Sequence, residues 1–241
     1  MKCKLCKLEK PLRKSHIFPE WLYKPLYDKN HRFFVLSTDA NKIRSTRPKG
    51  IYERLFCNEC EQRLSRWEGY ARDVFFELPL KVNEDNRAVV FSGLEYIPFK
   101  LFQMSLIWRA SIASRPEMHK IDLGHHAERI RKMLFEGRPA EVYEYGSILM
   151  LPALSQKMMQ QFVYPPERLS TKIDGHSAYR AVFGGLFWLF IVSNHAYRIP
   201  HEVFFSKNGN LPIFKVGGPA LRFMQHLAPD FFTVGMLNDP K

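Results

Sequence analysis

Between residues 58 and 78, apolar side chains recur at Leu64, Trp67, Ala71, Val74, Phe75 and Leu78. That 3, 4, 7 spacing turns one stripe of a helix toward a core. Helices are also predicted over 96–114, where Phe99, Phe102, Met104, Ile107 and Trp108 make a wide apolar face, and over 127–135, closed by Gly137 and Pro139. A shorter helix is predicted over 18–27, opened by Pro19. Apolar runs rich in Phe, Val, Ile and Leu predict strands at 32–37, 51–56, 88–91, 142–151, 161–164, 179–192, 203–205 and 213–216. The last two flank Lys207-Asn208-Gly209-Asn210, whose Asn-Gly pair predicts a hairpin. No repeat or low-complexity tract interrupts the pattern, and an α+β fold is expected.

Composition changes this picture little. Hydrophobic residues are 46% and charged residues 25% of 241, values that exclude a disordered, collagenous or coiled-coil chain. Charge changes it more. Lysine and arginine number 36 against 24 acids, a net +12, which favours an anionic partner, DNA or RNA first. Residues 1–76 hold 17 Lys and Arg against 9 Asp and Glu, a net +8. We therefore expect a domain over 1–80 and a second, mixed α+β domain over 81–241, joined by the polar stretch 81–86. The second domain is expected to sense, dock or oligomerise, against itself or a protein partner. The start of the chain has no apolar segment like that of a signal peptide, and the longest near-apolar run, 181–193, is too short to span a bilayer. A cytoplasmic protein with no membrane partner is expected.

All four cysteines lie in the basic first third, as Cys3-Lys4-Leu5-Cys6 and Cys57-Asn58-Glu59-Cys60. Two residues between thiols let both sulfurs face one ion at ~2.3 Å, and four thiolates complete a closed tetrahedral site. A redox dithiol needs only one pair, so structural zinc on Cys3, Cys6, Cys57 and Cys60 is expected. Lys2, Lys4 and Lys7 offset the charge of the thiolates.

Ten residues after Cys6 comes Lys14-Ser15-His16-Ile17-Phe18-Pro19. The order of a CxxC, a His followed by Ile-x-Pro, a β-hairpin, and a CxxC opening a helix resembles the HNH (His-Me finger, treble-clef) endonucleases over residues 1–76. The resemblance implies a zinc-stabilised ββα module that hydrolyses phosphodiester bonds, in contexts such as restriction and phage defence. It places His16 as the general base, since a neutral imidazole accepts a proton from water near pH 7, and implies a catalytic Mg²⁺ or Mn²⁺. The family pattern departs here in three places. Ser15 stands where an Asp is common, Glu61 where an Asn is expected, and the following helix has no His. Glu61 and Glu68, spaced to share a helical face with Ser65, are the candidate oxygen ligands in its stead. The alternatives are a structural or surface His16, and Glu61 and Glu68 as solvated partners of Arg63, Arg66 or Arg72.

Lys42, Arg44, Arg47, Lys49 and Arg54 are the candidate phosphate contacts. They serve equally the alternative function, a treble-clef module without catalysis that binds nucleic acid or joins a larger complex. His125-His126-Ala127-Glu128 is read as helix-start surface charge. Asp174-Gly175-His176-Ser177 cannot form a relay between adjacent residues and sits in no nucleophile elbow. Gly184-Gly185 and Gly217-Gly218 lack a phosphate-loop pattern, and the aromatics Phe183, Phe187, Trp188 and Phe190 are assigned to the core.

Overall fold

The chain begins with a tight knuckle. Cys3 donates its N–H to Leu8 O at 2.9 Å and Lys7 donates to Cys3 O at 3.0 Å. Lys7 closes the turn with a φ of 64°, a left-handed conformation more usual for glycine. The computed structural model describes residues 1–35, 45–77, 88–152, 162–195 and 198–217. Strand β1 (Leu12–His16) follows the knuckle. After β2 (Phe33–Val35) and β3 (Ser45–Arg47), which pair with each other, the chain returns as β4 (Tyr52–Cys57), antiparallel to β1 with His16 opposite Tyr52. β4 runs directly into α1 (Asn58–Glu77), so a ββα unit is built from β1, β4 and α1.

Beyond it lie β5 (Ala88–Phe91), α2 (Tyr96–Ile112), α3 (His126–Glu136), β6 (Ser147–Pro152), β7 (Tyr164–Arg168), β8 (Ser177–Phe183), β9 (Leu186–Val192) and β10 (Leu211–Val216). The strands form one sheet in the order β5-β10-β6-β9-β8-β7. Only the β10–β6 pair is parallel. The protein is α+β, with four clustered cysteines in its N-terminal part.

Helix α2 is the hub. Every side chain from Phe99 to Ala110 is buried, which explains why its apolar face is so wide: the helix packs against α1 and α3. Phe56 stacks on Trp108 at 5.7 Å, and Phe75 and Phe102 both meet Trp188 of β9. One apolar cluster runs from Cys3 and Leu55 through α1 and α2 to Trp188 and Ile213. The expected boundary near residue 80 falls outside the described residues, but the core is continuous across it.

Several predicted elements are corrected. The helix over 18–27 is two single 3₁₀ turns, Glu20–Leu22 and Lys24–Leu26, because Pro25 within the stretch removes a helical N–H and crowds the preceding turn. The strand at 51–56 does not pair with the one at 32–37; its partner is β1, whose sequence Leu-Arg-Lys-Ser-His hides a strand under polar residues. The single strand at 179–192 is a hairpin folded at Gly184 and Gly185, with φ of 59° and 84°, the double left-handed turn that only such residues form readily. Residues 203–205 make no strand in the sheet; Phe204 and Phe205 are buried core residues, and β10 pairs with β5 and β6. The Asn-Gly turn is real but closes on itself, with Ser206 Oγ accepting the Asn210 N–H at 3.1 Å.

No described helix is long and apolar enough to cross a membrane. Phe183, Phe187, Trp188 and Phe190 are all core residues.

Candidate functional site

The knuckle brings Cys3 and Cys6 against Cys57, the last residue of β4, and Cys60 in the first turn of α1. All four sulfurs lie within 4.8 Å of one another, and Cys6 and Cys57 are 3.9 Å apart. Bonds of ~2.3 Å at tetrahedral angles place sulfurs about 3.8 Å apart, so the tetrad fits a single ion. Cys3, Cys57 and Cys60 are buried. Burial works against the Cys3 thiolate, yet hydrogen bonds from backbone N–H groups, Cys57 among them at 3.4 Å, bring its pKa down to about 7. Burial pushes Cys57 and Cys60 up. A bound cation compensates such buried thiolates. The four cysteines are therefore positioned to bind a metal ion, with no position left for water.

His16 ends β1. Its Nε2 lies 2.7 Å from Glu20 Oε2; both atoms are shielded from solvent, and the two are not aligned as a hydrogen bond. The other carboxylate oxygen of Glu20 accepts a short hydrogen bond from the Tyr27 hydroxyl, and Tyr27 stacks on His31 at 4.0 Å. The two 3₁₀ turns thus wrap a carboxylate around one face of the imidazole. The His16 side chain is 33% exposed, and its Nδ1 meets no partner among the described residues. This arrangement sets a carboxylate against one ring nitrogen and leaves the other without a partner among the described residues.

The two helix acids separate in role. Glu61 faces the strand residue before His16: Ser15, fully buried, donates its hydroxyl to Glu61 Oε2 at 2.7 Å. Burial pushes the Glu61 carboxyl upward, Ser15 and Arg109 oppose this, and Glu68 reinforces it. Glu68 is committed elsewhere. Its Oε1 accepts Arg109 Nη1 at 2.5 Å, and the guanidinium, 1% exposed, also donates to His16 O at 3.1 Å and to Ser105 Oγ at 3.3 Å. Neither acid pairs with Arg63, Arg66 or Arg72 among the described residues; Glu68 is spent neutralising a buried arginine from α2. Among the described residues the cysteine tetrad is the only group of three or more metal-ligating side chains.

The basic candidates scatter. Lys42 and Arg44 lie outside the described residues. Arg47 ion-pairs with Glu117, Lys49 is exposed, and Arg54 donates to Leu12 O at 3.0 Å, bracing the hairpin. A cavity of about 360 Å³ between Arg47, Tyr52 and Arg115 opens beside the His16 hairpin. His126 meets the Tyr145 hydroxyl at 3.1 Å and lies tilted against the exposed His125 ring at 4.0 Å; no cap hydrogen bond forms from His125.

Glu20, Tyr27 and Arg109 were not legible as site residues in the sequence. Glu20 stood four residues after His16, a spacing meaningful only with the turn known. Arg109 had a readable signal: with Lys100 it is one of two cations inside a twelve-residue, mostly apolar helix segment. Searches of protein-family models, curated proteins and solved structures return no match to this chain.

Proposed function

We propose that the protein hydrolyses phosphodiester bonds of nucleic acid, with His16 as the base and Zn²⁺ in the cysteine tetrad holding the ββα unit rigid. The observation that carries this reading is the His16–Glu20 contact. The carboxylate, 2.7 Å from Nε2, stabilises by its charge the imidazolium formed when Nδ1 takes a proton from water. The water oxygen then bonds to phosphorus as the P–O bond on the far side breaks; the leaving oxygen takes a proton from solvent to give a phosphomonoester and a free hydroxyl, and His16 returns its proton to solvent. Glu61, paired with the buried Ser15 hydroxyl, is the hard oxygen donor that would contribute a ligand to Mg²⁺ or Mn²⁺ at a phosphate. Such an ion, when bound there, supplies neutralisation of charge on the phosphate. Glu68 has no part in it. Its role is to pair with the buried Arg109 guanidinium that donates to the His16 carbonyl, and so to set where β1 ends.

Glu20→Gln tests the reading. The substitution keeps size and removes charge, so kcat falls about 10- to 100-fold while KM stays near the wild-type value, and Glu20→Asp recovers part of the loss. Unchanged kcat in Glu20→Gln would remove the support for His16 as the base. The commitment of Glu68 to Arg109 favours a second reading, a zinc-held module that binds nucleic acid without cutting it. Under that reading, affinity falls steeply with salt and no condition yields product.

A further inference from the structure

The segment after α2 returns to the hairpin that carries His16. Ser114 donates its N–H to Glu53 at 2.8 Å, and Arg47 is paired with Glu117, so both walls of the space between them are tied. The cavity there measures about 360 Å³, within the range of small-ligand pockets. Tyr52 lines it, half-buried, directly opposite His16 in the strand register, with the two rings 6.2 Å apart and edge-on. Lys14 Nζ stands 5.4 Å and Arg115 Cζ 5.9 Å from the centre of the Tyr52 ring. Arg115 Nε is buried and has no hydrogen-bond partner, while Lys49 is exposed at the rim.

A site for phosphate alone has no use for a tyrosine face, and an apolar ligand has no reason to enter a cavity lined by Arg47, Lys49 and Arg115. A nucleotide uses both: its base takes the place of a cation now over the ring, and its phosphate meets the guanidinium and ammonium groups around it. A base inside a duplex has both faces covered by its neighbours, so only an unpaired base can be received. We infer that the Tyr52 cavity is the subsite for an unpaired nucleotide next to the bond to be cut, and that single-stranded or locally melted nucleic acid is the substrate class. This rests on the reading of the protein as one that acts on nucleic acid. Tyr52 and Arg115 are binding residues of that subsite; they take no proton in the reaction.

The test is binding without added Mg²⁺, read by fluorescence anisotropy on a labelled 15-nucleotide oligothymidylate, on a blunt duplex of equal length, and with thymidine monophosphate as competitor. The zinc-loaded full chain is used throughout. The single strand is expected to bind about tenfold or more tighter than the duplex. Tyr52→Leu should lose about tenfold in affinity for the strand and Tyr52→Phe almost none, because the ring face is what matters. Arg115→Gln should lower the salt slope by about 0.7, one phosphate contact on a single strand. Zinc content and melting temperature confirm that each variant is folded, and the Phe variant and Arg115→Gln remain informative if Leu disturbs the hairpin. Equal affinity of wild type and a folded Tyr52→Leu, a preference for the duplex, or competition by the mononucleotide as effective as by the strand would each overturn the inference. The outcomes separate from those of the hydrolysis: strand binding that depends on Tyr52 with no cleavage refutes only the nuclease, and His16-dependent cleavage unaffected by Tyr52→Leu refutes only the subsite.

Discussion

Replacing Glu68 with glutamine removes one charge and almost no volume, and it isolates what the Glu68–Arg109 pair does. Arg109 is 1% exposed and draws on Glu68, His16 O and Ser105; Glu68 is its only salt-bridge partner among the described residues, with the Glu61 carboxyl acting on it from farther off. Breaking a buried pair from one side costs about 3–5 kcal/mol, because the remaining charge is stranded. Glu68 itself is 20% exposed, so water reaches part of the pair and about 2–3 kcal/mol is the better figure. For a chain of this length each kcal/mol moves the melting temperature by about 2–4 °C, giving a fall of roughly 4–12 °C in Glu68→Gln, measured by calorimetry. Combining it with Arg109→Met should cost less than the two single losses added together, since the double variant strands no charge. A Glu68→Gln protein that melts within a degree of wild type would refute the assignment. A metal-ligand role for Glu68 predicts the opposite pattern: unchanged stability and abolished metal-dependent activity.

The purified protein should contain one equivalent of zinc by elemental analysis, and Cys60→Ser should lose it together with about 10 °C or more of thermal stability; a zinc-free variant as stable as wild type would contradict a structural site. Lys100, fully buried against the carbonyls of Val142 and Tyr145, is pushed down to about 7 by desolvation, with Glu144 opposing. Between pH 7 and about 10 the unfolded chain keeps that proton and the folded one does not, so this residue makes stability rise with pH by up to about 1.4 kcal/mol per unit. Denaturation across that range should show this rise in wild type relative to Lys100→Met, and parallel curves would exclude it. At Gly209, φ is +84° and a Cβ would stand 2.4 Å from Leu94 O. Gly209→Ala should therefore lower stability by about 1–3 kcal/mol, and a neutral result would mean the turn adjusts freely.

Features set by local chemistry were legible in the sequence. The two CxxC pairs read directly as a metal site because four thiols at that spacing have few other uses, and α1, α2 and α3 followed from the spacing of their apolar positions. Pairing was harder. β1 is mostly polar because one face of the β1–β4 ribbon is solvated, and Lys14 and Arg54 occupy that face; nothing local announces that Leu12–His16 is a strand. The turn at Gly184-Gly185 was hidden because both flanking strands are buried and read as one apolar run. In the candidate site, His16 was singled out by its motif, but its neighbour Glu20 depended on the 3₁₀ turns that follow it. The roles of Glu61 and Glu68 were indistinguishable on one helix face until α2 delivered Arg109 to one of them.

The central claim is that His16 accepts the proton of the attacking water. Its most direct test is cleavage of single-stranded DNA and RNA by the zinc-loaded protein with Mg²⁺ or Mn²⁺, wild type beside His16→Ala at equal zinc content. The account predicts metal-dependent products from wild type and a rate lower by about 10²- to 10⁴-fold in the variant. Cleavage by His16→Ala at the wild-type rate, or no cleavage by wild type on any strand it binds, would contradict it.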